Sequence, residues 1–226
     1  MKKQAVYRSL ESKMLKYADL IDVSARPIRE KLVSIETSSI LTTKPINNDM
    51  QAYTGDLIFV RESVLAKLQQ AANILAKANP ELQLQVVYGY RVLSVQQKLF
   101  LKYRKRLEST YSGEALDEAT HRLIAVPEIA GHPTGGAVDI QITNAGVPID
   151  MGTNIWEFVK DSFMFSPFIS QEAQDNRLLL RSIMMDVGFA PFDGEWWHFS
   201  YGDKEWAAYY KKPFAIYNQI EFKTES

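Results

Sequence analysis

Gly131-His132-Pro133-Thr134-Gly135-Gly136-Ala137-Val138-Asp139 and, downstream, Glu195-Trp196-Trp197-His198 are the stretches around which this chain is organised. Of its three histidines, two sit here, each with a carboxylate in the same short segment. Two His and one Asp form a ligand set for zinc, and the remaining Glu suits a general base. A catalytic zinc keeps three protein ligands and leaves a fourth position for water or substrate. That water ionises near neutral pH, and a neighbouring carboxylate takes its proton as it attacks a carbonyl.

His132 and Asp139 are too far apart to share a metal on a straight strand, which would separate them by roughly 23 Å. Pro133, Gly135 and Gly136 argue against a helix. The chain is therefore expected to turn through Pro-Thr-Gly-Gly and enter a strand over 137–142. Alternation sends Val138, Ile140 and Ile142 to one face and Ala137, Asp139 and Gln141 to the other. The aromatic run from Glu195 to Tyr201 favours a strand. A bend or bulge is needed there to bring Glu195 and His198 together. A core histidine plus a surface one is the plainer alternative, and the paired carboxylates weigh against it.

The pattern H-x-x-G-x-A-x-D followed by E-x-W-H resembles the zinc D,D-peptidases, which include the VanX-type D-alanyl-D-alanine dipeptidases and the VanY-type D,D-carboxypeptidases. Gly89-Tyr90-Arg91, Asp150-Met151-Gly152-Thr153, Asn176-Arg177-Leu178-Leu179 and Gly188-Phe189 extend the match over about Tyr53 to Trp206. The resemblance implies zinc on His132, Asp139 and His198, with Glu195 as base and Arg91 stabilising the oxyanion. It implies a D,D-peptidase/hedgehog-like α+β fold, with a mainly antiparallel central sheet carrying the zinc site between flanking helices. Three positions depart from the family pattern. Ala130 stands where Ser is frequent, Thr134 where VanX-type members often have Arg, and Tyr88 where they often have Asp. None of these removes a metal ligand.

The expected activity is zinc-dependent hydrolysis of a D,D-dipeptide such as D-Ala-D-Ala. Two alternatives are a D,D- or L,D-carboxypeptidase acting on peptidoglycan peptides, and a non-catalytic zinc-containing binding module. Intact Glu195 and Arg91 argue against the last. By position alone, between a strand and a helix, Arg91 is equally well read as a surface ion-pairing residue. Tyr90, Trp196, Trp197 and Asp150 are candidate substrate contacts. Core packing for the tryptophans and turn capping for Asp150 are the alternatives.

At 226 residues, one domain is expected over 1–226, with residues 1–50 a helix and loop extension packed on the core. The composition, 46% apolar and 23% charged, is that of an ordinary globule. With 26 basic and 27 acidic residues, nothing points to nucleic acid or an anionic membrane. The partner expected is a small peptide containing D-amino acids. No cysteine is present, so thiolates cannot hold the zinc. No apolar run approaches a membrane span, and the basic start lacks an apolar signal core, so a cytoplasmic location is expected.

Periodicity predicts a helix over 1–20, short strands at 32–35 and 57–61, and a helix over 63–78. It predicts a strand over 82–88 and a helix from the Ser94–Gln97 capping box to about Leu107. A hairpin is expected at Asn144-Ala145-Gly146, and a helix from Ser170 to about Val187, stopped by Gly188. A closing helix over 205–212 and a peripheral tail after about Phe214 complete the reading. His121, in the charge-rich run 102–122, is read as a surface residue.

Overall fold

The structure, a computed structural model, describes residues 2–222. Its helices are α1 (Lys2–Glu11), α2 (Tyr17–Leu20), α3 (Gln51–Thr54), α4 (Glu62–Ala78), α5 (Leu93–Leu107), α6 (Gly113–His121), α7 (Gln171–Asp186) and α8 (Lys204–Tyr209). Its strands are β1 (Leu32–Ser34), β2 (Leu41–Thr43), β3 (Phe59–Arg61), β4 (Leu82–Tyr88), β5 (Ala137–Asn144), β6 (Val147–Pro148), β7 (Ala190–Pro191) and β8 (His198–Ser200). The main sheet runs β2-β4-β5-β8-β7, with β6 added beside β5, and β1 pairs with β3 separately. The fold is α+β, as expected. The sheet is mixed rather than purely antiparallel, because β2 lies parallel to β4. The connection from β2 to β4 runs through α4, and a helical crossover is the usual way to join parallel neighbours.

The core forms where amphipathic helices meet this sheet. Val64, Leu68, Ala71, Ala72 and Leu75 recur at helical spacing along α4 and are buried against β4 and α7. On β5, Val138, Ile140 and Ile142 enter the same core, fully buried. Asp139 and Gln141 take the opposite face, as alternation requires. The 144–147 hairpin forms as predicted. Ala145 and Gly146 both have left-handed backbone (φ 47° and 78°), which a two-residue hairpin turn demands.

Four sequence expectations need correction. The N-terminal helix stops at Glu11, and a separate turn begins where the Asp19 carboxylate accepts the Lys16 N–H (2.8 Å). The α5 helix starts at Leu93 behind an extended Val92, so Ser94 sits inside the first turn and does not cap it. The tail is not peripheral. Tyr217 is buried, Ile220 N–H donates to Pro133 O (3.0 Å), and Phe222 packs on Phe59. His121 is buried, because α6 packs its last turn against α5 and Tyr17. No helix among the described residues is long and apolar enough to cross a membrane.

Candidate active site

β4 delivers the first part of the site. Its pairing with β5 shifts register between Val86 and Tyr88, a bulge that re-aims the Gly89-Tyr90-Arg91 segment. Gly89 passes so close to β3 that a Cβ there would meet Phe59 O at 2.5 Å. This close approach brings the Gly89 carbonyl to the His132 loop. His132 Nδ1 donates to Gly89 O (2.8 Å), and Arg91 N–H donates to His132 O (3.2 Å). The first bond fixes the tautomer and leaves Nε2 of His132 with a free lone pair. After one turn of 3-10 helix over His132–Thr134, Gly135 adopts a left-handed φ of 75°, and the chain enters β5.

β5 and β8 bring the remaining ligands together, since Asp139 and His198 are opposite partners in the antiparallel pair. Asp139 Oδ1 lies 3.0 Å from His198 Nδ1 and 3.6 Å from His132 Nε2. The three ligand atoms all fall within 4.8 Å of one another. A tetrahedral zinc with bonds of about 2.0–2.2 Å needs ligand atoms roughly 3.3 Å apart, so the cluster fits a zinc ion. Each ligand is also oriented from behind. Asp139 Oδ2 accepts the Trp156 indole N–H (2.8 Å), which leaves Oδ1 facing the histidines. His198 Nε2 faces Glu205 Oε2 at 3.8 Å and Ser200 Oγ at 3.4 Å. Trp156 holds a left-handed φ of 62°, a strained conformation for a bulky residue and one that such contacts maintain.

The electrostatics also favour a cation. Burial alone would raise the Asp139 pKa, but His132 and His198 outweigh it and hold the carboxyl well below its usual range. His198 loses some basicity to burial, yet Glu205, Asp139 and Glu195 together push it up to about 10. Burial, countered by Asp139, lowers His132. Burial raises Glu205 to about 7, and its Oε1 has no hydrogen-bond partner among the described residues. A second buried carboxylate, Asp203, caps α8 by accepting the Trp206 N–H (2.9 Å). A dication is the natural complement to so many buried carboxylates.

Glu195 sits in a turn, its N–H donating to Phe192 O (3.0 Å) and its carbonyl accepting from His198 N–H (3.2 Å). This is the bend that the sequence required. Burial raises the Glu195 carboxyl to about 8, near the range in which a group exchanges protons at neutral pH. Arg91 is buried, with Nε donating to Tyr88 Oη (2.9 Å) and Nη1 to Gln96 Oε1 (2.8 Å). Among the described residues no hydrogen bond uses its Nη2. Tyr88 Oη in turn donates to Asp49 Oδ1 (2.9 Å).

A cavity of about 270 Å³ gathers His132, Asp139, His198, Glu195 and Arg91 on its walls. The other candidate contacts lie elsewhere. Tyr90 is buried with its hydroxyl on Ile220 O (2.6 Å). Trp196 is core, with its N–H on Thr153 Oγ1 (2.9 Å). Asp150 organises a turn and the start of α7, accepting from Gly152 N–H (2.7 Å) and Ser170 Oγ (3.0 Å). Trp197 is fully buried and lines a second cavity, of about 290 Å³, which shares Leu123, Phe158, Phe192 and Glu195 with the first. The sequence reading missed Trp156, Glu205, Asp203 and the Asp49–Tyr88 pair. Only Asp203, an Asp directly before a helical pattern, carried a local signal.

An α+β fold whose central strands bring His, Asp and His together beside a Glu and an Arg defines a metallopeptidase. The chain belongs to the D-Ala-D-Ala dipeptidase family of peptidases, whose profile matches residues 36–220. It is 28% identical over 225 residues to a D-alanyl-D-alanine dipeptidase of Synechocystis sp., covering 85% of this chain and 90% of that one. A D-alanyl-D-alanine dipeptidase of Escherichia coli is 38% identical over 71 residues, 31% of this chain and 37% of that one. Among solved structures, a VanY D,D-pentapeptidase mutant in complex with Zn(II) is 18% identical, covering 88% of this chain and 96% of that chain, at a TM-score of 0.44. The D,D-dipeptidase VanXYg in complex with a D-Ala-D-Ala phosphinate analogue is 20% identical, covering 78% and 69%, at 0.39.

Proposed function

We propose that this chain hydrolyses a D,D-dipeptide such as D-Ala-D-Ala, with His132, Asp139 and His198 holding one zinc ion. The observation that carries the reading is the meeting of this ligand set with Glu195 and Arg91 in one cavity. Zinc held there would supply Lewis-acid polarisation of a carbonyl and a water acidified to near neutral pH. Glu195 takes the proton of the attacking water at its carboxylate and passes it to the leaving amine nitrogen. Arg91 offers its uncommitted Nη2 to the oxygen that becomes negative as the carbonyl turns tetrahedral. Tyr88 and Gln96 fix the guanidinium so that no reorganisation is needed at that moment. Gly89 O and Trp156 hold two of the zinc-binding side chains in position from behind.

The second cavity, which continues past Glu195, favours a second reading in which a longer peptidoglycan peptide is trimmed as a carboxypeptidase would trim it. One experiment separates the two. Zinc-loaded protein is offered D-Ala-D-Ala, L-Ala-L-Ala and a pentapeptide ending in D-Ala-D-Ala, with a chelator control. Cleavage of the D,D-dipeptide alone, abolished by the chelator and restored by zinc, is expected, and Glu195→Ala should lower kcat about 10²–10⁴-fold while zinc stays bound. Cleavage of the pentapeptide moves the protein to the second reading. Full turnover by Glu195→Ala would remove Glu195 as the base.

A further inference from the structure

The three groups of the candidate metal cluster are held in two different ways. Asp139 and His198 are opposite partners in the β5–β8 ladder, so the sheet fixes their spacing. His132 belongs to no strand. It opens the second of two 3-10 turns, Pro127–Ile129 and His132–Thr134, with Ala130 and Gly131 between them. Turns this short make few internal hydrogen bonds, and buried carbonyls along them must find partners elsewhere. The Gly89 carbonyl orients the ring of His132, and Arg91 N–H holds the carbonyl of His132 itself. Neither holds the carbonyls on its two sides.

The partners of those flanking carbonyls come from a distant part of the chain. Gln219 Nε2 donates to Pro127 O and to Ala130 O (3.3 Å), so both hydrogens of one amide nitrogen are engaged on the turn before His132. Ile220 N–H donates to Pro133 O (3.0 Å), directly after it. Arg61 couples the two segments, with Nε on Thr134 O (2.6 Å) and Nη2 on Asn218 O (3.1 Å). The tail is in turn anchored on the body of the fold. Tyr90 Oη donates to Ile220 O (2.6 Å), Tyr217 Oη donates to the Glu30 carboxylate, and Phe222 packs on Phe59 and Tyr90. The carbonyls of Pro127, Ala130, Pro133 and Thr134 thus depend on the tail or on the arginine that grips it.

We propose that Gln219 is a positioning residue for the metal site: by holding the Pro127 and Ala130 carbonyls it sets where His132 stands relative to Asp139 and His198. The inference rests on the zinc reading above. Metal–ligand distances tolerate only about 0.2 Å of error. A turn released on one side therefore loses metal affinity while the sheet, and with it the fold, stays intact. The ladder insulates the other two ligands from such a release. Gln219 lies on the outer side of the turn, along a separate groove with Ala130 and Thr134, and not on the wall of the metal cavity. Its influence on the site runs through the backbone that carries His132.

The test titrates metal-free, full-length protein with zinc in competition with a chromogenic chelator, and reads the thermal midpoint of the metal-free protein beside it. Gln219→Ala is expected to weaken zinc binding about tenfold, at the low end for groups that orient a metal ligand. Gln219→Glu keeps the length of the side chain but offers the two carbonyls no donor, and should weaken it at least as much. Tyr90→Phe, which frees the Ile220 carbonyl, should weaken it about threefold. Parental zinc affinity in either Gln219 variant overturns the proposal, even where the thermal midpoint falls, because Gln219 then serves stability alone. If neither Gln219 variant folds, Tyr90→Phe decides: a threefold loss supports the tail as the positioning element, and parental affinity overturns it. Failure of the parent to bind zinc overturns the zinc reading, and the positioning role with it.

Discussion

Arg177 and Arg91 are both buried, but their surroundings use them in opposite ways. Arg177 lies on the inner face of α7, where its Nε donates to Met151 O (2.7 Å) and its Nη1 to Asp161 O (2.9 Å) and Phe163 O (2.7 Å). Its Nη2 reaches Thr153 Oγ1 (3.3 Å), so all three guanidinium nitrogens are engaged, mostly with backbone carbonyls. Arg61 behaves alike, holding Glu30 O, Thr134 O and Asn218 O. Arg91 instead has Nε and Nη1 fixed and, among the described residues, no partner on Nη2, on the wall of the cavity that holds the His132-Asp139-His198 cluster. A saturated buried cation acts as a clamp on the backbone, whereas one with a fixed plane and an open donor is prepared for a charge that arrives later. The Asp-Met-Gly-Thr and Asn-Arg-Leu-Leu motifs thus form one structural unit, joined through Arg177.

The sharpest way to break this contrast is Arg177→Met. Three carbonyls, that of Met151 buried and those of Asp161 and Phe163 partly so, lose their donor, and the expected cost is about 3–5 kcal/mol of stability by urea unfolding, at the upper end for a point change. The turnover of the molecules that remain folded should be unaltered. A stable variant with lost activity would make Arg177 part of the site. Arg91→Met should do the reverse. It should lower kcat/KM about 10²–10³-fold, roughly 3–4 kcal/mol of transition-state stabilisation, with a thermal midpoint close to that of the parent.

A third test extends the contrast to His121, whose buried Nδ1 has no hydrogen-bond partner among the described residues. Burial lowers its folded pKa to about 4, below the unfolded value near 6.5, so between these pH values the unfolded chain binds more protons. Stability is therefore intact above pH 6.5 and declines as pH falls towards 4, by about 3 kcal/mol if the full shift is realised. His121→Phe should flatten that part of the stability profile, and an unchanged slope would show that another group is responsible. The smallest effect is expected from Tyr88→Phe, which removes the hydroxyl linking Arg91 to Asp49. The guanidinium should lose definition and kcat should fall about tenfold with KM little altered; a change in KM alone would deny Tyr88 a positioning role.

The sequence was most legible where a local rule decides the outcome. The period-two alternation of β4 and β5 carried Asp139 to the polar face, the Ala145-Gly146 turn set the hairpin, and Ser170 capped α7 through Ala173 N–H (3.0 Å). Legibility failed where contacts span the chain. Trp156 meets Asp139 from an irregular loop, and Asp49 reaches Tyr88 from 39 positions away, so no spacing announces either. His121 was misread because the charges around it belong to the outer faces of α5 and α6, while its own side chain points inward. The tail was misread for a similar reason. Its residues are unremarkable in composition, yet Gln219 and Ile220 bond to the backbone at Ala130 and Pro133 on either side of His132.

Asp139 and His198 face each other across β5 and β8 although 59 positions separate them. A ribosome releases the first long before the second, since chains emerge from the N-terminal end. While β8 is still unmade, His132 and Asp139 supply only two of the three groups in the candidate metal cluster. Under the proposed reading the newborn chain acquires its centre only as β8 is inserted into the sheet, and a product cut short before His198 is expected to be inert.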